Sequence, residues 1–389
     1  MNTEYLPNYV FQNDVKKIEE FFSANSDFSR DTTFSFEIKS SHFVSDMIIA
    51  LPTNDLKLIH IAAASDALDA LKLLEKNGFT INDITSSNYL PIHYACLYGS
   101  YNIVCYILSK DPNMVQKTLN NAKHNIFYLT SMSGDACIME LLLQHIDIGL
   151  LSNIQKNIIE NSITHGSFDC LKVLLNHGLE YQGDYSLSML AAINNCPELV
   201  EYLIDHGFDK RPLNYCAPSN HNTLLGLMCF YGKHFKELIL KVLKRMDDIE
   251  PPVPNVSGPI HWICQICDID ITKEFLRHNF DVNRLDDRGR SGFIQLAYNC
   301  RFPEDVILEI AKLLINAGFD VNIKTVPSVL EVFSTSIKIL YSVVELIINN
   351  GADIYVMTKN GRRLCDEIMS KRNRKLKNLF EKSPFYKNE

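Results

Sequence analysis

The stretch HWICQIC spaces His261, Cys264 and Cys267 at three-residue intervals, and one imidazole with two thiolates at that spacing could ligate zinc. No second ligand pair lies near it in sequence. Gly226 to Lys233 imitates a phosphate-cradling loop, but one residue too many separates its glycines and His234 stands where a Ser or Thr hydroxyl is needed. DVNRLDDRG, from Asp281, imitates a calcium loop, yet it lacks the sixth-position glycine and Gly292 falls where the bidentate glutamate should be. No GxSxG occurs, and no Cys, His and carboxylate set can be assembled without assuming the fold that would have to prove it. The sequence therefore predicts no catalytic residue, no metal and no cofactor.

The elements that would position such residues form a lattice. From Gly351, counting back eight, seven, four and three positions gives Val343, Val344, Ile347 and Ile348. The same offsets from Gly207 give Leu199, Val200, Leu203 and Ile204, and from Gly178 they give Cys170, Leu171, Leu174 and Leu175. Asn279 stands in for the glycine and yields Ile271, Thr272, Phe275 and Leu276, while Asp111 and Ile146 hold the equivalent places behind IVCYIL and IMELLL. These offsets mark one face of a helix. A glycine or asparagine after it suits a chain entering the left-handed region to stop winding. A shorter helix precedes each, opening LIHIAA at Leu58, PIHYAC at Pro91 and PIHWIC at Pro259, and closing at Gly99, Gly134, Gly166 or Gly232. Proline suits a first helical turn, where its missing N–H has no partner to lose. The phrase that follows recurs too: GFTIN, GFDKR, NFDVN and GFDVN.

These features resemble the ankyrin-repeat family, whose repeat opens TPLHxAA, turns at a central glycine, continues IVxxLLxxG and exits through GADVN. PIHYACLYGSYNIVCYIL and VVELIINNGADIY carry the likeness best, which extends over roughly residues 51 to 383. It implies an all-α solenoid of about ten units, because a unit of this size cannot bury its apolar face alone whereas stacked neighbours share a core. It also implies that Asp281, Asn283, Asp320 and Asn322 hold exit loops through local side-chain to backbone bonds, and that His60, His93 and His261 bond backbone between repeats. The lattice accounts for the zinc-like trio, since Cys264 takes a small buried position and Cys267 the turn glycine's. NIFYLT from Asn125 departs from the TPLH opening, the repeat ending near Met246 lacks its glycine, and those ending at Gly318 and Gly351 carry extra residues between helices. Residues 1–50 read as a cap with one repeat-like helix, Ile18, Phe21 and Phe22 inward, and 384–389 as a tail, with a break in the stack at 247–259.

Composition frames the function. The chain has 389 residues, 46% hydrophobic and 22% charged, with a formal net charge of −8. That charge disfavours nucleic acid and anionic lipid as partners. No apolar run approaches a membrane span, and MNTEYLPNYV does not read as a signal peptide. Eleven scattered cysteines point to reduced thiols in the cytoplasm. The reading is a monomeric scaffold or adaptor that binds a protein and no small-molecule substrate. Two other classes compete: a secreted effector acting on host proteins, and an enzyme working through the N-terminal segment. By resemblance, the two residues before each central glycine face the binding groove, which nominates Leu97 and Tyr98, and Phe230 and Tyr231; large rigid side chains at such positions make binding hot spots. Packing of those rings against neighbouring units is the competing reading. Pro251 and Pro254 of EPPVPN match a PxxP ligand but equally a stiff linker. The basic SKRNRKLKNLF reads either as a targeting or acidic-partner patch, or as cations complementing the C-terminus of a capping helix.

Overall fold

The computed structural model describes residues 3–38, 51–119, 124–299 and 301–386, so residues 1–2, 39–50, 120–123, Cys300 and the last three residues lie outside the described chain. The chain divides into two compact units, residues 1–183 and 184–389. The first pairs Leu6–Phe11 with Val15–Ala24, Leu58–Ala64 with Leu68–Lys76, Pro91–Tyr98 with Tyr101–Lys110, Ile126–Ser133 with Ala136–Gln144, and Gln155–Thr164 with Phe168–Asn176. The second pairs Leu187–Ile193 with Pro197–Asp205, Leu224–Tyr231 with Lys236–Leu243, Pro259–Ile266 with Ile269–Phe275, Gln295–Tyr298 with Glu304–Asn316, Val329–Thr335 with Tyr341–Asn349, and Leu364–Ser370 with Arg374–Glu381. The architecture is the all-α repeat stack. Among the described residues extended pairing is confined to isolated bridges such as Cys216 with Thr223, Leu285 with Ser291 and Met357 with Arg363, which close the hairpin tips. No described helix is long and apolar enough to cross a membrane.

The two helices of a pair are buried differently. All of Leu58–Ala64 and all of Pro91–Tyr98 are buried, as expected of helices packed on every side. The second helices bury one stripe, and it is the stripe the offsets mark: Val343, Val344, Ile347 and Ile348 in one, Cys170, Leu171, Leu174 and Leu175 in another. Gly99 and Gly134 end their helices in the left-handed region, where a Cβ would be strained. Asn13 and Asp66 adopt that region without being glycine, and their side chains justify it. Asn13 Oδ1 accepts the Ala70 N–H at 2.8 Å and Asp66 Oδ1 accepts the Ile103 N–H at 3.0 Å, so each turn caps the second helix of the next pair.

Two of the three histidines, His60 and His261, join pairs from inside; His93 does not, because its buried Nε2 meets no hydrogen-bond partner. His60 Nε2 faces the carbonyls of Asp83 and Tyr89 at 3.1 Å each, and His261 Nε2 reaches the Arg290 carbonyl at 3.1 Å. The Nδ1 atoms of His93 and His261 accept the N–H of Leu90 and Gly258, the residues opening their helices. Burial pushes His60 and His93 down to about 4, since a charged imidazole would lose its hydration there.

The recurring exit phrase works through two different bonds. Its aspartate acts locally: Asp281 and Asp320 each accept, at 2.8 Å, the N–H two residues on, which sets the turn. Its asparagine acts between pairs. Asn283 donates to the Gly318 carbonyl at 3.0 Å and accepts the Asp320 N–H at 2.8 Å; Asn322 does the same with Gly351 and Asp353. The resemblance foresaw local bonds for both residues, and for the asparagines the structure corrects this, because only a primary amide offers a donor and an acceptor that match a neighbouring backbone.

Departures from the lattice have local causes. Behind Asp111 the helix Met114–Leu119 replaces the hairpin, and Asp111 keeps an ordinary φ of −137°, so no left-handed stop is needed. The extra residues before Gly318 lengthen Glu304–Asn316 to 13 residues, while its partner begins as a 3-10 turn at Gly292–Ile294. There the chains touch: a Cβ on Gly292 would lie 2.6 Å from the His261 backbone. At the N-terminus Ile18 and Phe21 are buried and Phe22 half-buried, as read, and the unforeseen helix Leu6–Phe11 completes a pair.

Three expectations follow. Asn322→Ala removes both of its inter-pair bonds and should cost about 1–2 kcal/mol, read as a lower urea midpoint; an unchanged midpoint refutes the staple. The histidines are neutral when folded but titrate near 6.5 when unfolded, so their contribution is complete above that pH and lost as pH falls toward 4. The loss should reach roughly 2–3 kcal/mol per histidine by pH 4, and His60→Gln should flatten that part of the pH profile. Of the ten described thiols, Cys137 is exposed, Cys105 half-buried and the others buried, with burial pushing Cys96, Cys170 and Cys267 up to about 12. Titration of folded protein should modify Cys137 first and Cys105 next, leaving the other eight until denaturant is added.

Candidate partner-binding surface

The four nominated residues part company. Leu97 is 1% exposed and Tyr98 8%, because the helix that carries them is packed on all sides; burial pushes the Tyr98 phenol up to about 12. They belong to the core. Phe230 is 62% exposed, with Tyr231 half-buried beside it, and the two rings meet edge to face at 5.3 Å. That geometry suits the ring quadrupoles and leaves one ring free in solvent.

Phe230 and Tyr231 border a groove of about 380 Å³ within residues 184–389, shared with Ile193, Leu227, Trp262 and Gln265. Each neighbouring pair contributes its first helix. A Cβ on Gly226 would come within 2.8 Å of Trp262 Nε1, so the glycine gives the indole its place in the floor. Among the described residues no lysine, arginine or carboxylate lines this groove. On the same unit, a second pocket of about 330 Å³ lies among Tyr298, Val332, Ile337, Glu331 and Lys359. Residues 1–183 carry a different surface: a polar pocket of about 360 Å³ among His124, Asn125, Tyr128, Asn157, Glu160 and Asn161, where His124 stacks between Tyr89 and Tyr128 at 6.5 and 5.2 Å. Trp262 follows the repeat histidine and could have been nominated from that register. Ile337 lies among inserted residues, where the lattice offers no register.

The other chemical candidates find structural roles. His261 is committed to backbone through both nitrogens, Cys264 is fully buried and Cys267 adopts a φ of +52° at the turn. Among the described residues no three His, Cys, Asp or Glu side chains gather to hold a metal. The PxxP stretch has Pro251 buried and Pro254 exposed, and Arg284 latches it through the Glu250 carboxylate and the carbonyls of Val253 and Val256, so it is anchored to the fold. The basic tail needs a correction. Arg374, Lys375 and Lys377 lie in the first half of Arg374–Glu381, whose last turn holds no basic residue, so they do not complement a helix C-terminus. Leu376 and Phe380 face inward, Lys375 sits over the Tyr341 ring at 4.2 Å, and the remaining cations keep the outer face polar.

Comparison with known proteins points the same way. Residues 38–121 and 126–214 match the family model described as ankyrin repeats in three copies. An ankyrin repeat protein of Acanthamoeba polyphaga mimivirus is 20% identical over 380 residues, which is 92% of this chain and 79% of the relative. A second from the same virus is 22% identical, over 43% of this chain and 25% of its own length. The ankyrin repeat protein nuc-2 of Neurospora crassa is 23% identical, over 40% of this chain and 15% of its own length. With the helix pairs, the histidines bonded to backbone and the stapled exits in place in the structure, the family match and these relatives support an ankyrin-repeat protein.

Proposed function

We propose that this chain is a non-catalytic, monomeric scaffold or adaptor of the cytoplasm, and that its protein partner docks on the face of residues 184–389 where Phe230 stands out. Ankyrin repeats in general are protein–protein interaction modules. The observation that carries the site is the placement of Phe230, 62% exposed, in a groove that it shares with Ile193, Leu227, Tyr231 and Trp262 and with uncharged polar side chains such as Asn222 and Gln265. Apolar and aromatic side chains together with amide and hydroxyl groups are what hot-spot pockets use. Leu97 and Tyr98 take no part, since a partner cannot reach them.

Capture from native cells by the full chain, compared with Phe230→Ser, tests the reading. The variant should lose its bound proteins, a weakening of about 2 kcal/mol or more, with the unfolding midpoint nearly unchanged. Tyr98→Ser should behave in the opposite way and lose about 3 kcal/mol of stability through the cavity it leaves. Identical capture by Phe230→Ser and the wild type refutes the site.

A further inference from the structure

Glu331 holds the position that histidine holds elsewhere. Three residues after Ser328 opens its helix, it matches His261 after Gly258 and His93 after Leu90. His261 and His60 meet carbonyls of the following loop, whereas Glu331 inverts the polarity and accepts the Lys359 N–H through Oε1 at 3.3 Å. A neutral glutamine would meet that need. The carboxylate leaves Oε2 without a hydrogen-bond partner while the side chain is only 3% exposed, an arrangement that costs more than a satisfied amide. No cation of the described chain forms an ion pair with it; Lys359 lines the same pocket through an exposed side chain.

The rest of the pocket is made for the body of a cation. Tyr298, 65% exposed, lines the pocket, and the face of an aromatic ring attracts an ammonium or guanidinium. Val332 and Ile337 offer apolar walls against which an aliphatic stem can lie while its charged end goes further in. The geometry points to a subsite for one basic side chain, lysine or arginine, of a docking protein, its charge on Glu331 and its stem against Tyr298. This deepens the docking reading and rests on it.

The probes are fluorescein-labelled acetyl peptides Ala-Val-Arg-Val-Ala, its lysine counterpart and its citrulline counterpart, which keeps the shape of arginine without the charge, titrated into the full chain and followed by anisotropy. A basic peptide should bind at least tenfold tighter than the citrulline peptide, and the better of the two identifies the preferred residue. Glu331→Gln should erase the preference while keeping its backbone bond and its unfolding midpoint. Lys359→Met, which removes a like charge and leaves the backbone N–H in place, should tighten binding several-fold and keeps the test open if Glu331→Gln folds poorly. Equal binding of arginine and citrulline peptides, no binding of any peptide, or a preference that survives Glu331→Gln overturns the subsite. Those outcomes leave the docking face itself standing, since Phe230→Ser tests it separately.

Discussion

A helix such as Pro91–Tyr98, with every residue buried, cannot exist by itself. One side is covered by the second helix of its own pair and the others by the pairs before and after, so its apolar area is withdrawn from water only when the neighbours are present. Almost every other feature of the chain serves that dependence. Asn13 and Asp66 cap a helix that is not their own, His60 and His261 bond to loops of the next pair, and Asn283 and Asn322 clasp the following exit from outside. Each is a polar group placed where a neighbouring backbone would otherwise lack a partner.

The same dependence explains where surface is left over for function. Where consecutive first helices align closely, even a tyrosine next to the turn glycine is covered, as Tyr98 is. After Gly232 the chain makes a 3-10 turn, Lys233–Phe235, before the second helix starts, and Phe230 stays outside. The inserted residues before Tyr341 act likewise and leave Ile337 in solvent. At these two places the irregularity leaves a first-helix or inserted apolar side chain exposed, Phe230 at 62% and Ile337 fully. Glu331 fits this pattern, being a lattice position whose residue type no longer matches its purely structural task.

How much could be read without coordinates depended on the range of the interaction involved. The stripe of Val343, Val344, Ile347 and Ile348, the stop at Gly99 and the turn set by Asp320 are decided within about eight residues, so spacing and residue type alone reveal them. The zinc-like trio dissolves for the same reason, since the register assigns His261, Cys264 and Cys267 to ordinary repeat positions. What Asn322 bonds to lies 29 residues away and cannot be read from its own turn. The placement of the tail cations failed similarly, because which turn of Arg374–Glu381 holds them depends on where packing starts the helix.

The sequence by itself determined the unit, its period and its inward faces, because helix periodicity, left-handed stops and Asx turns are local physics written in residue order. Only the tertiary structure decided that Leu97 and Tyr98 are core and Phe230 is surface, and that Glu331 keeps an unpartnered oxygen beside a pocket. Exposure is the area that neighbours fail to cover, and those neighbours are brought there by the stack rather than by adjacency in the chain.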